Sequence, residues 1–371
     1  MTFNRKIPNN DLPLLPPDVK IETPEILKHL ATAARHLGEL NGLCATLIDP
    51  TLLINTIALQ ESKDSSEIEN IVTTQDELYQ ATIEGESASS AAKEVLRYKE
   101  AVYRGLEVMK KRQNILSVNA MIEIVQVIKN NNAGIRTTPG TALKNAITGE
   151  VIYTPPEGKE IIEEKLANLE RFINDDEFSA LDPLIKMAVI HYQFESIHPF
   201  IDGNGRTGRI LNGLYLVQQK LLPQPVLYLS SYIVKNKSLY YQLLRGVTEK
   251  NNWQDWVMYN LTAIIETAQL TAEKIRQLLV LKDKMEGELK DALGSSYKRE
   301  LLELMFEMPY IKIETLEKKG LAHRQTASTW LKKMVSAGIV SAHKKGKTLY
   351  FVNDRLINIL SAQRVFMDIY G

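Results

Sequence analysis

His198-Pro199-Phe200-Ile201-Asp202-Gly203-Asn204-Gly205-Arg206-Thr207-Gly208-Arg209 is the stretch on which the reading of this chain turns. Gly203-Asn204-Gly205 leads into a helix-compatible run from Arg206 to Lys220, so its backbone amides fall at a helix N-terminus, an anion site by geometry. Arg206 and Arg209 stand three apart on the first turn, where cations oppose the helix dipole unless an anion is bound beside them. Phosphate would supply that anion. Asp202, just ahead of the amides, offers the protein oxygen with which Mg²⁺ is commonly held beside phosphate oxygens. His198 lies close by, with an ordinary pKa of about 6.5 that suits it to take a proton from a hydroxyl at neutral pH. Together these residue types ask for phosphoryl or nucleotidyl transfer. Singly, each has a plainer reading: Gly-Asn-Gly as a turn, and His before Pro as a structural residue.

Around this stretch the pattern is helical. Asp182-Pro183 opens a helix running Leu184, Ile185, Met187, Ala188, Val189 toward His191 and Phe194, and helical periodicity also covers 88–131 and 159–174. Thr23-Pro24 starts a helix that Asn41-Gly42 should end; Asp49-Pro50 and Asp64-Ser65-Ser66 repeat the start signal. Residues 7–17 hold too many prolines for a helix and form an extended arm. The stretch 134–158 is punctuated by Gly and Pro around Val151-Ile152-Tyr153-Thr154, which reads as a hairpin or loop inserted among helices. The boundaries expected are a helical region over 1–100, a helical core over 101–281, a charged helical end and linker over 282–296 and a C-terminal module over 297–371. In that module, helices at 298–307, 313–319 and 324–337 precede an alternating run from Ile339 to Val352, the order of a winged helix-turn-helix with Lys345-Gly346-Lys347 at the wing tip.

The totals exclude little. The chain has 371 residues, enough for several cores, with 45 basic and 45 acidic side chains. Residues 297–371 hold 13 Lys/Arg against 7 Asp/Glu, so a polyanion partner should meet that part. Arg324, Lys332, Lys333, Lys344, Lys345 and Lys347 could hold DNA phosphates there, although such modules also serve protein contacts or dimerisation. The single cysteine, Cys44, excludes an intrachain disulfide and sits in an apolar run as a small buried residue. No stretch approaches the ~20 apolar residues of a spanning helix, and the expected location is cytoplasmic.

Residues 198–209 match His-Pro-Phe-x-(Asp/Glu)-Gly-Asn-Gly-Arg-x-x-Arg at every specified position, and by this motif the chain resembles the Fic family of protein adenylyltransferases. The resemblance implies a mainly all-α fold, a Fic-type helical core with a small β-hairpin flap, and transfer of AMP from ATP to a Ser, Thr or Tyr hydroxyl of a protein, including itself. It implies His198 as base and Asp202 as the Mg²⁺ carboxylate. The amides of Gly203, Asn204 and Gly205 would cradle the α- and β-phosphates, with Asn204 and Arg206 on phosphate oxygens, Thr207 and Gly208 in the same nucleotide-binding turn, and Arg209 on the γ-phosphate. Val151, Ile152, Tyr153 and Thr154 correspond to the flap that docks the target by strand addition, and Tyr240 and Tyr241 to the adenine pocket. Ser65-Ser66-Glu67-Ile68-Glu69-Asn70 matches the family's inhibitory helix, expected over about 64–80, in which Glu69 would pair with Arg209. Ser66-x-x-Glu69 is also a capping box that would need no further purpose. Two alternatives stay open: a winged-helix DNA-binding regulator whose Fic core senses nucleotide, and removal of AMP by the same site with Glu69 positioning a water. Another nucleotide donor, a homodimer and an unknown protein target also remain open.

Overall fold

The computed structural model describes residues 3–46, 50–84, 88–145, 148–345 and 348–362. In chain order, helices α1 (Pro24–Ala45), α2 (Pro50–Ile68), α3 (Gln75–Glu84), α4 (Ser90–Lys111) and α5 (Val118–Lys129) precede a hairpin of β1 (Leu143–Lys144) and β2 (Val151–Tyr153). Then come α6 (Lys159–Asn174), α7 (Pro183–Ile197), α8 (Asn204–Gln218), α9 (Ser230–Lys235), α10 (Lys237–Lys250) and α11 (Trp253–Leu293). The chain finishes with α12 (Arg299–Glu307), β3 (Tyr310–Ile311), α13 (Ile313–Lys318), α14 (Arg324–Ser336), β4 (Ser341–Lys345), β5 (Thr348–Val352) and α15 (Asp354–Ser361). The fold is therefore mainly α, as expected, and no helix among the described residues is long and apolar enough to cross a membrane.

Two compact units are formed. One contains Met1–Ala45, Asp64–Ile71 and Arg97–Gln269; the other Thr46–Lys63, Val72–Leu96 and Leu270–Gly371. In the first, α7 is the central helix, buried on nearly every side and packed against α1, α6 and α8. A helix surrounded in this way has no polar stripe to display, which is why its sequence is apolar almost throughout. Asp182 caps it by accepting from the Leu184 amide at 2.8 Å, and the Trp256 indole of α11 donates to the Ala188 carbonyl at 2.8 Å. The proline-rich arm is extended but tied down: Leu12 and Leu15 are buried, and Lys165, Asn168 and Gln193 bond its main chain.

In the second unit, β3, β5 and β4 make an antiparallel sheet in that order, so the C-terminal elements run helix, strand, helix, helix, strand, strand. Of the expected wing tip, Lys345 ends β4, and residues 346–347 lie outside the described residues. Tyr79 of α3 stacks on Tyr310 of β3 at 5.8 Å, and the Tyr310 hydroxyl donates to Asp76 at 2.6 Å.

Three expectations are corrected. Asp64-Ser65-Ser66 does not start a helix: α2 runs from Pro50 through it and ends at Ile68, with Asn70 in the left-handed conformation at φ 62°. Ser66 thus lies inside a helix with its hydroxyl buried and without a bond, and the capping-box reading falls away. Of the helical end and linker expected over 282–296, the helical part takes most and reaches Leu293, because Met285, Leu289 and Leu293 continue a buried stripe and Glu286 pairs with Lys290 one turn on. Helix α1 also passes Asn41-Gly42 to reach Ala45, burying Leu40 and Cys44.

Candidate functional site

The loop from His198 to Gly203 joins α7 to α8. His198 caps α7 in the left-handed conformation, φ 50° and ψ 57°, and its amide donates back to the Phe194 carbonyl at 3.0 Å. Gly203, at φ 86°, is also left-handed and turns the chain into α8, where a side chain would be strained. Asn204 closes the loop on itself: its side-chain NH₂ donates to the Phe200 carbonyl at 2.8 Å, and its Oδ1 accepts from the Phe200 amide at 2.9 Å. The side chain expected at a phosphate oxygen is thus buried and committed to shaping the loop. Helix α8 makes its first internal bond from the Thr207 amide to the Gly203 carbonyl, which leaves the amides of Asn204, Gly205 and Arg206 without a helical acceptor. The geometry suits an anion there, but the set differs from the expected Gly203 to Gly205, because the Gly203 amide is taken by Asp202 Oδ1 at 2.6 Å.

Charge is organised around that cradle. Arg209 is buried and takes three bonds from the end of α2: its Nε donates to Ser65 Oγ at 2.8 Å, and its Nη2 to the Ser65 carbonyl at 3.0 Å and to Glu69 Oε1 at 2.8 Å. Burial alone would raise the Glu69 carboxyl, but Arg209 holds it below its ordinary value. A Cβ on Gly205 would collide with Glu69 Oε1, so the carboxylate lies directly over the first turn of α8. Arg206 is buried with its Nη2 4.0 Å from Asp202 Oδ1. Thr207 and Gly208 are buried in the same turn.

Asp202 is exposed; its Oδ1 accepts from the Gly203 amide at 2.6 Å and its Oδ2 from Lys129 of α5. Burial would raise its carboxyl, and Lys129 and the Gly203 amide lower it further than burial lifts it. These donors fit a Mg²⁺ held jointly with a nucleotide, since the carboxylate already receives a cation beside the amide cradle. Among the described residues no group of three or more His, Cys, Asp or Glu is placed to hold a metal by itself.

His198 is partly exposed with its Nδ1 buried, and its pKa is pushed down to about 4, first by desolvation and then by the charge of Arg136. The main-chain carbonyl of Glu195 and the carboxylates of Glu69 and Asp202 pull the other way. The imidazole is therefore neutral at pH 7, the form that accepts a proton.

The remaining expected residues separate. Tyr240 is buried among Trp256, Tyr259 and His191, bonding His191 Nε2 at 2.8 Å. Tyr241 is about half exposed, packs edge-on against Tyr240 and is the tyrosine with a surface to offer. In the hairpin, Val151 and Ile152 are partly exposed, whereas Tyr153 and Thr154 are buried against the N-terminal arm. Sequence reasoning missed Arg136, Lys129, Glu195 and Ser65 as members of this region. Only Ser65 carried a signal, its place in the motif around Glu69.

The fold and this junction define a helical protein in which a tight loop joins two packed helices and a carboxylate from the same chain lies over the first turn of the second. Three family models match in succession: Fic/DOC family N-terminal over residues 27–107, Fic/DOC family over 115–216, and the C-terminal domain of SoFic-like protein adenylyltransferases over 281–356. The chain belongs to the Fic/DOC family.

Among curated relatives, the protein adenylyltransferase fic-1 of Caenorhabditis briggsae is 38% identical over 68 residues, 18% of this chain and 13% of that protein. The protein adenylyltransferase Fic of Drosophila melanogaster is 33% identical over 84 residues, 23% of this chain and 16% of that protein. The match spans less than a fifth of either relative. A Fic family protein from Desulfovibrio desulfuricans shares the fold at TM-score 0.58 and 19% identity, over 91% of this chain and 98% of that one. Fic-1 of Caenorhabditis elegans does so at 0.51 and 20%, over 67% and 72%.

Proposed function

We propose that this chain is a protein adenylyltransferase, transferring AMP from ATP to a hydroxyl of a protein, itself included, and that Glu69 restrains it. The observation that carries this reading is Arg209, buried one turn into α8 behind the amide cradle and held by Glu69 at 2.8 Å. A guanidinium in that place suits the outermost phosphate of a nucleotide whose inner phosphates lie on the amides of Asn204 to Arg206. While Glu69 occupies it, the phosphate chain cannot settle in line for attack.

With the guanidinium free, the target hydroxyl oxygen bonds to the α-phosphorus, the bond to the β-phosphate oxygen breaks, and pyrophosphate leaves. His198, neutral at pH 7, accepts the hydroxyl proton. Asp202 would hold Mg²⁺, which supplies charge stabilisation for the phosphates. The partly exposed Val151 and Ile152 of the flap would align the target strand, and Tyr241 would flank the adenine.

Replacing Glu69 by Gly should raise incorporation of label from α-labelled ATP well above wild type, and adding His198→Ala should abolish it without abolishing ATP binding. Intact mass should show one added adenylate per modified site. Equal labelling of wild type and Glu69→Gly removes the restraint; no labelling of either removes the transferase.

A second reading concerns the C-terminal elements. Arg324, Lys332 and Lys333 on α14 and Lys344 on β4 are exposed, which supports a winged helix that holds DNA phosphates. Full-length protein should then shift a labelled duplex, progressively less as salt rises. Absence of a shift at low salt overturns this.

A further inference from the structure

The end of α7 leaves four successive carbonyls, those of Ser196, Ile197, His198 and Pro199, that need donors from outside the helix or its cap. Each of them has one, and all the donors come from residues 136 to 153. The Tyr153 hydroxyl donates to the Ser196 carbonyl at 2.8 Å. Arg136 serves the other three: Nη2 to Ile197 at 3.3 Å, Nε to His198 at 2.8 Å, and its own amide to Pro199 at 2.9 Å. The same Nη2 also donates to the Pro156 carbonyl, where the hairpin returns to the core. Arg136 is 3% exposed and, among the described residues, forms no salt bridge. A buried guanidinium without an ion pair is costly unless its hydrogen bonds are needed where they are. They are needed here because His198 sits in a left-handed conformation that a non-glycine residue keeps only when its surroundings hold it.

We propose that Arg136 is a positioning residue for the transfer reaction: it fixes the main chain of His198 and couples it to the stem of the flap. This rests on the transferase reading above. A target strand pressed onto Val151 and Ile152 would bear on Tyr153 and Pro156, and through Tyr153 and Arg136 on the carbonyls that set His198. The N-terminal arm braces the same strand from the other side: the Asn9 amide donates to the Thr154 carbonyl at 3.0 Å, its side chain to the Tyr153 hydroxyl at 3.2 Å, and Phe3 stacks on the Tyr153 ring at 6.0 Å.

The test uses full-length protein in the Glu69→Gly background. Arg136→Gln should slow labelling at saturating Mg-ATP by more than roughly tenfold while half-saturation by ATP stays within about twofold. It should also move the acid limb of the rate profile to higher pH, because a positive charge that disfavours the imidazolium is gone, while Asp202 and the Glu195 carbonyl, both present in this background, still favour it. Arg136→Lys should restore the limb but not the rate. Tyr153→Phe, which removes the Ser196 bond and keeps the ring, should slow labelling in the same direction by less, and it keeps the test alive should Arg136→Gln fail to fold. Parental rates and an unmoved limb in Arg136→Gln and Tyr153→Phe overturn the proposal, as does a rate loss matched by an equal loss of ATP affinity. If the parent itself does not label, the transferase reading has failed. The positioning claim is then read from the imidazole signal of His198 by NMR, which must titrate at higher pH in Arg136→Gln than in its parent.

Discussion

At the scale of single residues, the loop and the carboxylate over it are held by side chains with separate tasks. His198, Asp202 and Arg209 stand where the spacing puts them, since a loop-to-helix junction fixes their order around the amides. Asn204 reads in sequence as a phosphate ligand and proves to be the staple that folds the loop onto Phe200, because its amide matches a main-chain N–H and C=O four residues back. Ser65 shows the converse. Its hydroxyl accepts from Arg209 Nε at 2.8 Å in a buried setting, so it helps keep the end of α2 on α8. A hydrogen bond to a charged group contributes about 1.5–3 kcal/mol, which sets the size of the effect. Ser65→Ala should label itself faster than wild type but slower than Glu69→Gly, because the Ser65 carbonyl and Glu69 still hold Nη2. A time course with labelled ATP reads this directly, and a wild-type rate would show that Ser65 takes no part in the restraint.

At the scale of elements, those with unambiguous ends were the readable ones. Asp182-Pro183 announces α7, and the boundaries of α6, α12 and α14 follow from apolar periodicity meeting Gly or Pro. The end of α2 was misread because Asp, Ser and Glu also compose a helix start, and only Asn70 in the left-handed conformation shows that the helix stops there. The arm over residues 7–17 was legible as extended, but its anchoring was not, since its partners Lys165, Asn168 and Gln193 lie some 150 or more residues away in sequence. Leu15 is the arm's anchor, 4% exposed, with its amide and carbonyl both bonded to Asn168. Truncating such a residue costs about 2–5 kcal/mol. Leu15→Ala should therefore lower the urea midpoint markedly, and a midpoint equal to wild type would mean that the arm is only laid on the surface.

At the scale of the whole molecule, three ionisable groups drawn out of water along one helix should show themselves in how stability depends on pH. His191, Glu195 and His198 follow one another along α7 at spacings of four and three, toward α8. His191 is pushed down to about 3, first by burial and then by Arg209. Its neutral form is bonded to Tyr240. His198 lies at about 4. Glu195 is pushed up to about 7, chiefly by burial with Glu69 adding to it and Arg209 opposing. Below pH 6.5 the unfolded chain takes up two histidine protons that the folded chain refuses, so stability falls as pH falls toward 4. Glu195 works the other way: folded protein takes its proton near pH 7 and the unfolded chain only near 4.5, so stability rises as pH falls across that window. Two protons against one leaves a net loss of about 1.4 kcal/mol per pH unit between pH 6.5 and 4.5. Urea unfolding at pH 7, 6 and 5 should show that decline. His191→Gln, which keeps a hydrogen-bonding partner for Tyr240 and removes one of the two histidine protons, should leave the profile nearly flat, because His198 and Glu195 then cancel. A His191→Gln profile as steep as wild type would mean that His191 does not govern the acid response of this fold.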